Sequence, residues 1–157
     1  MSASAPDQAA AQSGANAGAA AGDIVARYCA ASQANDVDAL IALFAPDGEL
    51  VSPLSGRMVF KGHDSLRVLL GAVYGTLKDL RWGEQVGEGR VRTVIAQSRF
   101  AGLRLDDAMV FELDGEQRIR RLRPHLRPWL ATTAFALALG PKVAAHPGVL
   151  MRALRAS

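Results

Sequence analysis

The fold is decided by the stretch Leu103–Leu113, which is LRLDDAMVFEL in one-letter code. Successive side chains of a β-strand point to opposite faces, so this alternation predicts a strand with one buried face. The buried row contains Leu103, Leu105, Met109, Phe111 and Leu113. Asp107 falls in the middle of that row, where a carboxylate is costly unless it is paired, hydrogen-bonded or protonated. We therefore expect Asp107 to have a function.

Two simpler explanations of Asp107 stay open on the sequence. The carboxylate could form a buried ion pair across the sheet with an arginine such as Arg99. The register could also slip by one residue, which would turn Asp106 inward and Asp107 outward. The apolar row argues against the slip, because five large side chains would become exposed.

Helical periodicity covers the chain upstream of this strand. Asp23, Asp36 and Asp64 are the predicted N-caps of three helices. The second helix is expected to bury Phe44 and to end at the turn Pro46–Gly48. The third helix carries a core stripe that comprises Leu66, Leu69, Leu70, Val73, Tyr74 and Leu77.

From residue 80 onward the period changes to two, which is typical of strands. Long strands are predicted at Leu80–Gly87, Val91–Phe100, Leu103–Leu113 and Arg118–Arg127, with short ones at Glu49–Ser52 and Met58–Phe60. Helices grouped first and antiparallel strands grouped later favour an α+β domain. A curved sheet around the helices would enclose a pocket.

The chain divides by character into residues 1–22, 23–127 and 128–157. The first part is rich in Ala, Ser and Gly and is predicted to be a disordered tail. The middle part is the pocket domain. The last part contains an almost wholly apolar helix, which Gly140–Pro141 is expected to interrupt. Such a helix must be covered, by closing the pocket, packing in a dimer or lying on a membrane, and we favour a pocket lid or a dimer contact over membrane contact.

Composition excludes several classes of function. The net charge is +3, and basic residues gather in Arg118–Arg127, a pattern typical of a solvated face. Nucleic-acid binding is not expected, because aromatic residues are few and not interleaved with basic ones. The single cysteine, Cys29, fits a reducing cytoplasm. The three scattered histidines predict no metal site, and no cofactor motif is present in the sequence.

Several motifs, taken in order, resemble the ketosteroid isomerase branch of the nuclear-transport-factor-2-like superfamily and its relatives, the SnoaL-type polyketide cyclases. They are IVARY (24–28), NDVDAL (35–40), FAPDG (44–48), FKGHDSL (60–66), DAMVF (107–111) and RI (118–119). The resemblance implies a cone, in which a curved, mostly antiparallel sheet wraps around three helices and an apolar pocket. It also implies a homodimer.

The resemblance also implies a site. Tyr28 would be a hydrogen-bond donor to a substrate oxyanion, and Asp107 would be a second donor, held neutral as in the isomerases. The isomerases place a carboxylate base where this chain has Ser52, and serine is a poor base without a partner. Three candidate bases remain: Asp107 itself, a water held by Ser52, or His125. The strand alternation turns His125 away from the apolar face.

The implied ligand is a small apolar ketone, a steroid or polyketide. The residues expected to bind it are Phe44, Ser52, Leu70, Leu105, Met109 and Leu126. The implied reaction is isomerisation by enolisation and proton transfer. Two alternatives stay open: a non-catalytic ligand-binding protein of the same fold, and a polyketide cyclase or epoxide-opening relative. Without the resemblance, Tyr28 would be interpreted as an ordinary core aromatic residue.

Overall fold

The computed structural model describes residues 23–156, and the predicted tail at residues 1–22 lies outside them. The described part contains the helices α1 Ile24–Gln33, α2 Val37–Ala42, α3 His63–Tyr74, α4 Trp129–Ala144 and α5 Pro147–Arg155. Asp23 caps α1 by accepting a hydrogen bond from Val25 N, and Asp36 caps α2 by accepting one from Ala39 N. Two of the three predicted N-caps are therefore confirmed.

The described strands are β1 Phe44–Val51, β2 Val59–Lys61, β3 Lys78–Val86, β4 Val91–Phe100, β5 Leu103–Leu113, β6 Ile119–Arg123 and β7 Leu126–Arg127. They form one sheet in the order β2-β1-β6-β5-β4-β3, with β7 also paired to β5. Every pairing is antiparallel except that of β1 with β6. Register shifts within β1, β3 and β5 mark irregularities of the kind that bend a sheet. The predicted α+β cone is confirmed.

The register of β5 is the predicted one. It pairs with β4 without interruption from Phe100 opposite Leu103 to Val91 opposite Glu112. Leu105 and Phe111 are 1% and 0% exposed. Leu103, at the strand end, is 37% exposed and so leaves the buried row. Asp107 faces inward, since it belongs to the same row.

The start of β1 corrects the predicted end of the second helix. That helix ends at Ala42, and Phe44 already belongs to β1. The predicted turn Pro46–Gly48 is instead an irregular part of that strand, where the register with β6 shifts. A Cβ on Gly48 would lie 2.9 Å from the carbonyl oxygens of both Ala45 and Ile119, so the close strand approach requires glycine there.

Two other boundaries differ from the predicted ones. Gly62, not Asp64, is the N-cap of α3, and Asp64 lies in its first turn. The predicted strand Arg118–Arg127 is divided into β6 and β7. Pro124 has no N–H to donate to a strand ladder, which explains the interruption. After it, Leu126 pairs with Asp107 of β5.

The C-terminal helix also continues further than predicted. Helix α4 passes through Pro141 and ends at Ala144, and the break falls before Pro147. The buried residues of α4 are Ala131, Phe135, Leu139 and Val143. Their spacing of four residues forms one stripe across Pro141, so packing on both sides outweighs the hydrogen bond that proline removes. Among the described residues, none of the helices alone has the length and apolarity for a membrane span; α4 and α5 reach that length only together, across a 113° bend.

Candidate functional site

A cavity of about 300 Å³ lies between the inner face of the sheet, α3 and the helices α4 and α5. Of the predicted lining residues, the structure places Ser52, Leu70, Leu105, Met109 and Leu126 in its wall. Five residues of α4 and Leu150 of α5 also belong to the wall. The volume is at the small end of the range for ligand pockets, so a compact ligand fits it.

Phe44 does not line this cavity. It packs behind Tyr28 with its ring edge-on, at a centroid distance of 6.3 Å. Its burial was predicted, but Phe44 begins a strand instead of ending a helix, and its side chain packs in the core away from the cavity. Its position therefore supports Tyr28 and gives no direct contact to a ligand in the cavity.

Tyr28 lies on the buried face of α1, is 0% exposed and belongs to the cavity wall. Aromatic rings surround it edge-on: Phe44, Tyr74, Trp82 and Phe111. Its hydroxyl oxygen is 2.7 Å from that of Tyr74. Burial raises the pKa of Tyr28, and the nearby charge of Asp107 raises it further. The hydroxyl is therefore a proton-bearing donor at every physiological pH.

Tyr74, on α3, also lines the cavity, although its sequence spacing indicates only a place in a core stripe. Burial also raises the pKa of Tyr74, and the nearby Tyr28 and Asp107 raise it further. The two hydroxyls share one hydrogen bond, so one of their two protons stays available for a ligand oxygen. Tyr28 and Tyr74 are the only tyrosines in the sequence, and both lie on buried helix stripes, a signal that could have indicated the pair.

Asp107 is partly buried, and its side chain lines the cavity. One carboxylate oxygen, Oδ1, accepts a hydrogen bond from the main-chain N–H of His125 at 2.7 Å. Among the described residues no lysine or arginine forms an ion pair with it, and Arg99 lies opposite Arg104 instead. Burial raises the pKa of Asp107 to about 6, while the contact with His125 acts in the opposite direction. The carboxyl group therefore titrates close to neutrality and is mostly ionised at pH 7.

His125 is exposed, and its imidazole lies outside the cavity wall. The ring nitrogen Nδ1 lies 3.0 Å from the carbonyl oxygen of Ala108 on the outer side of β5. The alternation of the last strand had predicted this orientation. What His125 contributes to the site is its main-chain N–H, which fixes the Asp107 carboxylate.

Ser52 is 6% exposed and lines the cavity just after β1. Its Oγ accepts a hydrogen bond from Leu54 N at 3.2 Å, which holds the following turn. The described cavity wall contains no histidine or lysine that could activate this hydroxyl. Asp107 is accordingly the one ionisable carboxyl group in the described wall.

The described residues contain no cluster of three or more His, Cys, Asp or Glu side chains suited to a metal ion. Cys29 is partly buried, and burial raises the pKa of its thiol to about 12. A protonated thiol is a poor nucleophile. What the arrangement can do chemically is bind an apolar molecule, donate to one of its oxygens and exchange one proton with it.

Residues 25–122 match the model of the SnoaL-like domain family. No curated protein matches the chain by sequence. Among solved structures, the chain is similar to a protein with a cystatin-like fold from Silicibacter pomeroyi, with a TM-score of 0.77 and 21% identity over 83% of this chain and 93% of that one.

A steroid delta-isomerase from Pseudomonas aeruginosa is similar with a TM-score of 0.73 and 21% identity, over 82% of this chain and 94% of the isomerase. A putative polyketide cyclase from Sinorhizobium meliloti has a TM-score of 0.55 and 26% identity, over 64% of this chain and 92% of the cyclase. The TM-scores support a shared fold. At such low identities a shared fold does not establish a shared chemistry, which depends on the residues of the site.

Proposed function

The chain belongs to the SnoaL-like domain family, and we propose that it binds a compact apolar ketone of the steroid or polyketide class and promotes its enolisation. The observation that carries the proposal is the position of Asp107. It is a carboxylate without a cationic partner among the described residues, in an apolar cavity that it shares with the Tyr28–Tyr74 hydroxyl pair.

In this reaction the Asp107 carboxylate removes a proton from the carbon beside the carbonyl group. The electron pair of that C–H bond forms a carbon–carbon double bond, and the carbonyl oxygen becomes an enolate. The remaining proton of the tyrosine pair donates to this oxygen, where a preorganised donor is worth most in a dry site. Protonated Asp107 then returns its proton to another carbon of the conjugated system, which completes an isomerisation.

Asp107 acts here as a base, whereas the resemblance implied that it is a neutral hydrogen-bond donor. A neutral donor would need a pKa well above the working pH, and burial raises the pKa of Asp107 only to about 6. General bases work best when their pKa lies near the working pH. The single hydrogen bond from His125 N orients the carboxylate without adding a second charge.

The test is an assay of the purified protein with a β,γ-unsaturated steroid ketone, whose conjugated product absorbs in the ultraviolet. We expect turnover to rise with pH through about 6 and then to level off, since the ionised carboxylate is the active form. If turnover instead falls as the pH passes 6, Asp107 acts as a neutral donor and its assignment as the base is wrong.

Ser52 favours a second candidate function, a ligand-binding protein without catalysis. It stands where the resemblance implies a carboxylate base, and among the described residues no basic side chain lines the cavity beside it. Ser52→Asp would supply that carboxylate. An inert wild type that binds the ketone, together with an active Ser52→Asp variant, would establish the binding function. Absence of both binding and turnover in both proteins would rule out the steroid class.

The implied homodimer and the cytoplasmic location inferred from the single cysteine belong to the same proposal. Sedimentation equilibrium tests the homodimer, and a monomer at micromolar concentration would contradict it. Cell fractionation tests the cytoplasmic location.

A further inference from the structure

We propose that the outer face of α4 and α5 docks the protein on a lipid surface that carries anionic headgroups. This surface, called the cap face below, consists of Trp129, Leu130, Leu137, Pro141, Met151 and Leu154. The docking does not depend on the proposed function, because lipid binding is measured without any ketone.

Exposure is the first observation. Trp129 is 77% exposed, Leu137 is 73% exposed and Leu130 is 54% exposed. Single exposed leucines are normal on protein surfaces, whereas a continuous group of large apolar side chains marks an interaction site. At 100° per residue, Leu130 and Leu137 lie opposite the buried stripe of α4 and Trp129 lies about 100° from its centre, so the apolar surface of α4 extends well beyond its buried face.

Charge is the second observation and indicates the partner. The 30 residues from 128 to 157 contain three Lys or Arg residues and no Asp or Glu, so they account for the whole net charge of +3. Arg152 and Arg155 are exposed on α5, and Lys142 is exposed on α4, where its Nζ donates a hydrogen bond to Thr76 Oγ1. A segment that combines an exposed tryptophan and exposed leucines with cations and no acids has the composition that favours the interface of an anionic membrane.

The outer face of the sheet has a different composition from the cap face. On the outer face of the sheet, Arg121 and Arg123 pair with Glu112, and Arg104 and Arg127 pair with Asp106. Positive charges of the basic stretch Arg118–Arg127 are thus neutralised by acidic residues of β5. Residues 128–157 contain no acidic residue with which Lys142, Arg152 and Arg155 could pair.

A second copy of the chain is a poorer occupant of this face. A symmetric dimer places the same patch of two copies against each other. Each cap face would then meet another cationic face that offers no carboxylate, and like charges across an interface oppose association. An anionic lipid surface supplies the missing negative charge and an apolar layer for the tryptophan and leucines.

The cavity opens beside this face. Its exposed wall residues are Pro53, Leu54 and Ser55 of the β1–β2 loop and Gly140 of α4. Leu54 is 50% exposed and extends the apolar rim of the opening. The position of the opening would allow an apolar ketone to pass from the lipid into the cavity without crossing water. This consequence rests on the proposed function.

The experiment is co-sedimentation of the full chain with phosphatidylcholine vesicles, with and without one quarter phosphatidylglycerol. We expect binding to the anionic vesicles that weakens in high salt. The double variant Trp129→Ser/Leu137→Ser should weaken binding about tenfold or more, because it removes two exposed apolar side chains. A thermal melt like that of the wild type shows that the variant folds.

The matched control is Val86→Ser/Val91→Ser. It removes two apolar side chains that are 63% and 53% exposed, one at the end of β3 and one at the start of β4, which is the end of β4 far from α4. At about 3.3 Å per residue, that end lies roughly 30 Å from Phe100, which contacts Phe135 of α4. The control should bind vesicles like the wild type.

A second pair of variants tests the charge. Arg152→Gln/Arg155→Gln should weaken binding to anionic vesicles and leave the remaining binding to neutral ones unchanged. Arg27→Gln/Arg90→Gln is its control, because both arginines are exposed, Arg90 precedes Val91 at the far end of β4, and Arg27 lines a cleft with Arg92. The proposal is overturned if the wild type does not bind anionic vesicles, or if either control loses as much binding as its partner variant. It is equally overturned if the apolar cap variant changes the association state without vesicles, since a second copy then covers the face.

Discussion

Asp106 and Asp107 have the same side chain, are neighbours on β5, and lie on opposite faces of the sheet. Asp106 faces outward and forms ion pairs with Arg104 and Arg127. Asp107 faces an apolar cavity and accepts one main-chain hydrogen bond. The outer acid belongs to a ladder of charge pairs, while the inner one has no counter-ion among residues 23–156. The environment, and not the residue type, distinguishes the two acids.

The largest expected difference between the two acids is in turnover. Asp107→Asn removes the proton acceptor and keeps the shape, so we expect the isomerisation rate to fall about 10²- to 10⁴-fold, the usual contribution of a general base. Asp106→Asn is the matched control and should retain the rate of the wild type. The ultraviolet assay described above measures both. A nearly active Asp107→Asn variant would eliminate Asp107 as the base.

The tyrosine pair should give the next largest effect. Tyr28→Phe removes one of two hydrogen-bonded hydroxyls and leaves that of Tyr74 without its partner. We expect a loss of about 10² in turnover, comparable to removal of one oxyanion donor. Tyr74→Phe should cost about tenfold, because it mainly loosens the Tyr28 hydroxyl. Equal rates in both variants and the wild type would show that the pair does not contact the reacting oxygen.

The inner acid should also reduce stability at neutral pH. Burial raises the pKa of Asp107 from 3.8 to about 6, so the folded state binds its proton more tightly than the unfolded state. Wild-type stability is therefore lost as the pH rises from 3.8 to about 6 and stays reduced above. Asparagine does not titrate, so Asp107→Asn should be more stable by about 2 kcal/mol at pH 8.

Urea unfolding at a series of pH values measures this difference. The advantage of Asp107→Asn should disappear below pH 3.8, where both side chains are neutral. A variant that is less stable than the wild type at pH 8 would mean that the ionised carboxylate is stabilised by an interaction beyond the bond from His125 N.

The smallest effect is expected for the outer acid. Asp106→Asn removes ion pairs with Arg104 and Arg127, whose side chains are 63% and 77% exposed. Pairs of this kind contribute about 0–1 kcal/mol, so we expect a loss within that range that shrinks in high salt. A loss as large as 3 kcal/mol would show that the outer charge ladder acts as a unit.

Much of this contrast was predictable from β5 alone, because a period of two assigns each residue to a face. The ordered motifs around Tyr28 and Asp107 were enough to predict the cone. Tyr74 was missed, because a helical stripe looks the same whether its hydroxyl has a partner or not. Phe44 was misplaced, since it continues the spacing of the second helix although the chain has already become a strand.

The sequence by itself determined which acid of β5 faces inward, since a one-residue slip would expose the apolar row. Only the tertiary structure decided what surrounds that acid. It brought α1 and α3 together so that Tyr28 and Tyr74 share a hydrogen bond, and it divided the last strand so that His125 N reaches Asp107. Periodicity is local and can be counted along a chain. The pKa of Asp107 depends on burial and on neighbours from distant segments, which the fold alone brings together.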